Sequence, residues 1–234
     1  MSLPEVMTAL AALGNAQTKK TYQNHGAPEP LFGVRIGDLK PLQKQIKRDH
    51  ALALALYDTG NSDARYLAGL IADDAQMTPA LLDHWAHTAN WYMLAEYTVA
   101  WTAAQGPHGW SRGQAWTQSP HELVAAAGWS TLAGWVALKP DYELDLPWLA
   151  QQLEALPAAL PQAANRTRYA MNGFVIAVGC YVAPLTTLAL ETAHALGTVQ
   201  VNMGRTACRV PHAPDYIQKT LARGPVKKRK EIKC

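Results

Sequence analysis

Cysteine is scarce: Cys180, Cys208 and Cys234 are the three present, none in a CxxC spacing, and an odd number cannot fully pair. Neither a zinc site nor a disulfide framework is indicated, and a reducing compartment, the cytoplasm, is expected. Long apolar runs are missing too. No stretch approaches the roughly 18 residues needed to span a bilayer, so no membrane partner is expected. The opening MSLPEVMTALAALGNAQTKK carries an acidic residue and no basic one before its short apolar stretch, the wrong order for a signal peptide. Strand signals are nearly absent; Thr198–Asn202 has strand-like residues but is too short to suggest a sheet. Gly33-Val34-Arg35-Ile36-Gly37 has too few glycines, in the wrong context, for a phosphate loop. Charged residues are 17% of the chain against 49% hydrophobic, the balance of a globular protein with disorder confined to its ends.

What is present is unevenly distributed. Residues 161–234 carry 11 Lys+Arg against 3 Asp+Glu, whereas residues 1–160 carry 10 against 15, so a net of +8 follows a net of −5. The basic third runs through Arg166, Arg168, Arg205, Arg209, Lys219 and Arg223 into Lys227-Lys228-Arg229-Lys230 and suits a polyanion, nucleic acid first. A solvated tail that only aids solubility is the alternative.

Helix signals recur every ten to twenty residues. Asp38 stands as an N-cap with Pro41 in the first turn, Ser62 or Asp63 caps the next helix but one, and Thr78-Pro79 has the cap-then-proline order. Ser119 and Glu122 have the spacing of a capping box. Apolar residues then fall at helical spacing, as in Leu94, Tyr97, Thr98 and Trp101. The expected helices are 3–14, 38–48, 50–58, 62–74, 78–89, 91–105, 120–138, 147–155, 164–182, 184–196 and 212–223. Tight polar joins such as Asp58-Thr59-Gly60-Asn61 pair them as antiparallel hairpins, predicting an all-α solenoid of degenerate HEAT-like repeats; an irregular helical bundle competes. One domain over 1–224 and a basic tail over 225–234 are expected.

Candidate chemistry is concentrated in a few places. His84 and His87 sit three apart without a third ligand, so no metal site is assigned, and no cofactor is called for. Cys180 lies in an apolar helix as packing. All eight tryptophans fall between residues 85 and 148; core packing accounts for most, but Asn90-Trp91-Tyr92 opens a helix where rings can stack on bases or attract a cation. Arg166, Arg168, Tyr169 and Asn172 open a long apolar helix, with Arg168 and Asn172 one turn apart, a spacing that can join a phosphate to a base edge; close packing at Gly173, with Asn172 satisfying a loop, is the other account. Lys40, Lys44, Lys47 and Arg48 share a helical face and, with Arg65, are candidates for phosphate contact or for a solvated face.

These residues resemble the AlkD-like DNA alkylation repair proteins. The resemblance runs from Phe32-Gly33-Val34-Arg35-Ile36-Gly37-Asp38-Leu39 through Leu52-Ala53-Leu54-Ala55-Leu56-Tyr57-Asp58-Thr59-Gly60 and Ala64-Arg65-Tyr66-Leu67-Ala68 to Trp91, and Met203-Gly204-Arg205-Thr206-Ala207-Cys208-Arg209-Val210-Pro211 with Lys227–Lys230 resembles the C-terminal extension of one branch. It implies a curved stack of helical hairpins whose basic concave face cradles duplex DNA, with some members excising cationic N-alkylated bases. Such excision uses a carboxylate one helical turn after the tryptophan matched by Trp91, and that position here is Ala95. Glu96 follows, about 100° further round an α-helix, and points away unless the register shifts. The arginine of the next repeat, near Trp129-Ser130-Thr131-Leu132, is missing as well.

Three readings stay open. A glycosylase would use Trp91 and Tyr92 against the lesion and Glu96 as carboxylate. A non-catalytic module would recognise duplex DNA, alkylated or not, through Tyr92, Lys40, Lys44, Lys47, Arg65, Arg166, Arg168, Tyr169, Asn172, Lys227, Lys228, Arg229 and Lys230. A protein-binding scaffold is suggested by the acidic stretch 66–160, with 2 basic and 9 acidic residues.

Overall fold

The structure is a computed structural model that describes residues 1–224 and 226–233. Pro225 and Cys234, the two ends of the expected basic tail apart from its interior, lie outside the described residues. Thirteen α-helices are seen among the described residues, and no strand. They are α1 (Leu3–Leu13), α2 (Ala16–Asn24), α3 (Ile36–Ile46), α4 (His50–Asp58), α5 (Ser62–Ile71), α6 (Pro79–Thr88), α7 (Ala100–Gln105), α8 (Gly109–Thr117), α9 (Glu122–Leu138), α10 (Leu146–Ala159), α11 (Asn165–Tyr181), α12 (Thr186–Leu196) and α13 (Ala213–Leu221). A π-helical segment, Leu94–Val99, runs directly into α7.

Successive hairpins build two rows. The inner row is α3, α5, the π segment with α7, α9, α11 and α13, each packed on the next; α4, α8 and α12 pack against it, and α10 packs on α12. The hydrophobic core is continuous through the stack in two clusters that meet in α9, where Ala127 belongs to the first and Ala126 to the second. Trp85 is fully buried and stacks flat on Tyr57 at 4.1 Å, while the Tyr57 hydroxyl donates to the Trp85 carbonyl at 2.7 Å. Burying two such rings accounts for several kcal/mol of driving force, on the order of 25 cal/mol per Å² of apolar surface.

Two helices escaped the periodicity reading. Helix α2 (AQTKKTYQN) buries no residue completely, so it has no apolar stripe to betray it; Asn15 caps it by accepting from Thr18 N at 3.0 Å. Helix α8 carries Gly109 and Gly113, both poor helix formers, because a Cβ on Gly113 would strike Leu132 of α9 at 2.8 Å.

Three of the expected caps are corrected. Helix α3 starts at Ile36, so Asp38 sits inside its first turn, where its charge suits the dipole, and Pro41 lies within the helix. Asn61, not Ser62 or Asp63, caps α5, accepting from Asp63 N and Ala64 N. Asp63 is thereby freed for a longer reach: its buried carboxylate accepts from Phe32 N, Gly33 N and Val34 N at 2.6, 3.1 and 2.8 Å, fastening the loop before α3. Gly33 in that loop has φ +81°, and a Cβ there would meet Lys19 N at 2.5 Å. The capping box at Ser119 does not form, because α9 begins only at Glu122 and Ser119 Oγ accepts from His121 N instead. Thr78 caps α6 as expected.

Candidate functional site

The π segment decides the chemistry of the inner row. A π turn takes in about one more residue than an α turn, so over Leu94–Val99 the register advances by roughly one position. Ala95 is then wholly buried in the core, and Glu96 projects from the helix toward α11. There it meets Arg166 in a forked pair: Nε donates to Oε1 at 2.8 Å and Nη2 to Oε2 at 2.7 Å. The Glu96 side chain is 3% exposed and that of Arg166 11%.

Two aromatic rings approach the guanidinium. Its central carbon lies 4.1 Å from the Tyr92 ring centroid and 4.3 Å from that of Tyr169, distances at which each ring's quadrupole attracts the cation. The Arg166 backbone N–H donates to Glu122 Oε1 at 2.6 Å, so the carboxylate expected to cap α9 holds the first turn of α11. Burial pushes the Glu96 carboxyl up to about 7; the Arg166 donors and charge pull against it, and Glu122 adds repulsion. Burial also works against the Arg166 cation, but the hydrogen bonds and charge of Glu96 outweigh it and hold the guanidinium above its ordinary value. Tyr92 and Tyr169 are raised chiefly by burial.

Two cavities flank this pair. One, of about 680 Å³, opens at the helix starts and is lined by Asn24, His25, Asn90, Trp91, Glu122 and Arg166 among others. The loop 202–208 closes its far side, since Arg205 N donates to Asn24 O at 3.3 Å and Asn165 exchanges hydrogen bonds with Asn202. The other, of about 380 Å³, has Glu96, Tyr97, Trp101, Tyr169 and Tyr181 on its walls, with Arg229 and Ile232 of the tail across it.

The remaining expected site residues divide sharply. Trp91 is 4% exposed and packs between Tyr22 and Tyr92, so its ring is not open to a base as expected. Arg65 is turned inward, with Nε donating to Tyr57 O and Nη1 to Thr88 O, and its charge lies over the Tyr57 ring; it ties one hairpin to the next rather than facing a phosphate. Asn172 is 1% exposed and donates to Pro211 O at 2.9 Å, bracing the loop before α13, so it cannot read a base edge. Arg168 is half-buried and lines neither cavity, which separates it from Arg166 and Tyr169. Lys40, Lys44 and Lys47 are exposed and gathered at one shallow hollow. Lys227 and Lys230 are exposed, whereas Lys228 is drawn in by Asp141 at 2.8 Å and by the Val136 carbonyl. Sequence reasoning missed Glu122 as a site residue, and the capping spacing that drew attention to it pointed to a different partner.

The comparisons agree with this architecture. The family model for DNA alkylation repair enzymes matches residues 6–210. Uncharacterized proteins of Listeria innocua serovar 6a and Listeria monocytogenes serovar 1/2a are each 32% identical over 229 residues, covering 95% of this chain and 99% of theirs. A solved structure described as a new family of proteins related to the HEAT-like repeat DNA glycosylases with affinity for branched DNA structures superposes with a TM-score of 0.91, at 37% identity over the whole of both chains. With its two rows of stacked helical hairpins and its match over most of its length, the chain is a HEAT-like repeat protein and belongs to the DNA alkylation repair enzyme family.

Proposed function

We propose that this protein binds DNA by shape, favouring branched forms, and does not excise bases. The observation that carries the reading is the closed Glu96–Arg166 pair. A glycosylase needs a carboxylate facing the sugar as positive charge develops there, and here both Glu96 oxygens accept from Arg166 with the side chain 3% exposed. The described affinity of the solved relative for branched DNA supports the choice of partner. In a gel-shift assay the protein should bind a four-way junction at least about tenfold (about 1.4 kcal/mol) more tightly than a linear duplex of equal length. Base release from duplex carrying N7-methylguanine or N3-methyladenine should stay at the level of a protein-free blank.

Excision is the second reading, favoured by the π turn that returns a carboxylate to the inner row next to Ala95. Release of a methylated base that disappears in Glu96→Gln would establish it and displace the first.

A further inference from the structure

The last residues of the chain lie across the inner row as a strap. Lys228 is held by Asp141 and Val136 O, Arg229 N donates to Ala137 O at 2.8 Å, and Arg229 Nε donates to the Tyr181 hydroxyl at 2.7 Å. Ile232 N donates to Gln105 Oε1 at 2.9 Å, and the Ile232 side chain packs on Gly134, where a Cβ would come within 2.7 Å of its Cδ1. Lys233 ends the run in a pair with Asp74 at 2.6 Å, its side chain only 5% exposed. The anchors therefore come from α9, α11, the end of α7 and the turn after α5. A segment that only kept the protein soluble would not bury a lysine against a carboxylate.

This docking has a consequence for charge. Arg229 and Lys230 share a hollow of about 390 Å³ with Arg48, Asp73 and Lys139. Arg48 also belongs to the adjoining hollow of about 470 Å³ formed by Lys40, Lys44 and Lys47, with Glu231 on its edge. Two basic segments far apart in sequence thus meet at Arg48, while Ile232 and Arg229 line the cavity that Glu96 also lines.

We propose that the strap is a fixed part of the binding surface. It joins α3 to the tail in one basic rim, and a nucleic-acid arm lays its phosphate backbone along that rim, outside the cavity that Glu96 lines. The proposal rests on the DNA-binding reading above and specifies where the contact is made. Phosphate contacts of this kind release counterions, and each cation lost lowers the slope of log affinity against log salt by about 1.

Binding of a four-way junction by the full chain tests this across a salt series, with Lys44→Gln, Lys230→Gln and Ile232→Ser. The first two should each lower the slope by about 1. Ile232→Ser removes no charge but loosens the strap, which trypsin cleavage within the tail reports, and the slope should fall by about 1 as Lys230 leaves the rim. Tighter binding by Ile232→Ser would overturn the proposal, because the strap would then be a plug that DNA must displace. Unchanged binding by all three variants would overturn it while leaving DNA binding itself intact, whereas no binding by the parent protein to any DNA form would sink both readings. Equal binding to vesicles of anionic phospholipid, with the same losses, would overturn the nucleic-acid assignment.

Discussion

The Glu96–Arg166 pair and the Lys40, Lys44, Lys47 row place charge in opposite settings on the same inner row of helices. The first is sealed, with side chains 3% and 11% exposed, flanked by two tyrosine rings and held by hydrogen bonds at both ends. The second is open, and none of the three lysines joins an ion pair among the described residues. Buried charges are committed to each other because desolvation makes an unpaired ion costly. Exposed charges remain free to exchange water and counterions for phosphate. In this protein the residue types that signal catalysis are sealed in a buried pair, and the residues that resemble a plain solvated face are the ones left open to solvent.

The largest expected effect comes from splitting the sealed pair. Arg166→Met leaves the Glu96 carboxylate buried without donors and removes the cation between Tyr92 and Tyr169, so stability should fall by about 3–5 kcal/mol. A urea midpoint within error of the parent would show the pair to be dispensable.

Next in size is the pH response of Glu96 itself. Its folded value is raised by burial from 4.5 to about 7, so between those limits the folded state keeps a proton that the unfolded chain has lost. The contribution of Glu96 to stability therefore decreases as pH rises through that window and is fully lost above it. Glu96→Gln, which cannot titrate, should flatten this part of the profile when urea midpoints are compared from pH 4.5 to 8. A variant that retains the parent's slope would assign the effect elsewhere.

The smallest stability effects belong to the open row. Lys40→Gln and Lys47→Gln should change stability by less than about 0.5 kcal/mol, yet each should lower the salt slope of junction binding by about 1. Loss of stability without a change in slope would reverse the contrast between the two regions.

Much of the helical framework was readable from residue order. Thr78 ahead of Pro79, and the apolar spacing of Leu67, Leu70 and Ile71, mark helices because capping and a buried stripe are local requirements. Helix α2 was not readable, since its contacts come through half-buried residues such as Tyr22, whose hydroxyl donates to Val34 O at 2.8 Å. The caps at Asp63 and Glu122 were misplaced for a related reason. A carboxylate near a helix start satisfies local amides in most chains, but here each reaches amides 29 to 44 positions away.

The site was legible only as a set of names. Tyr92, Glu96, Arg166 and Tyr169 were all singled out, but nothing in their order pairs a residue at 96 with one at 166. Trp91 and Arg65 turn inward and Asn172 satisfies the loop before α13, the second of the two accounts open to it, because the face a helical residue presents depends on its neighbours in the stack. Most helix positions, the charge division along the chain and the replacement of the expected carboxylate by Ala95 were determined by the sequence itself, since each depends on adjacent residues. The capture of Glu96 by Arg166 and the strap that docks the tail on α9, α11 and Asp74 were decided by tertiary structure, because each is a contact between distant segments whose cost of desolvation is offset only when packing brings the partners together.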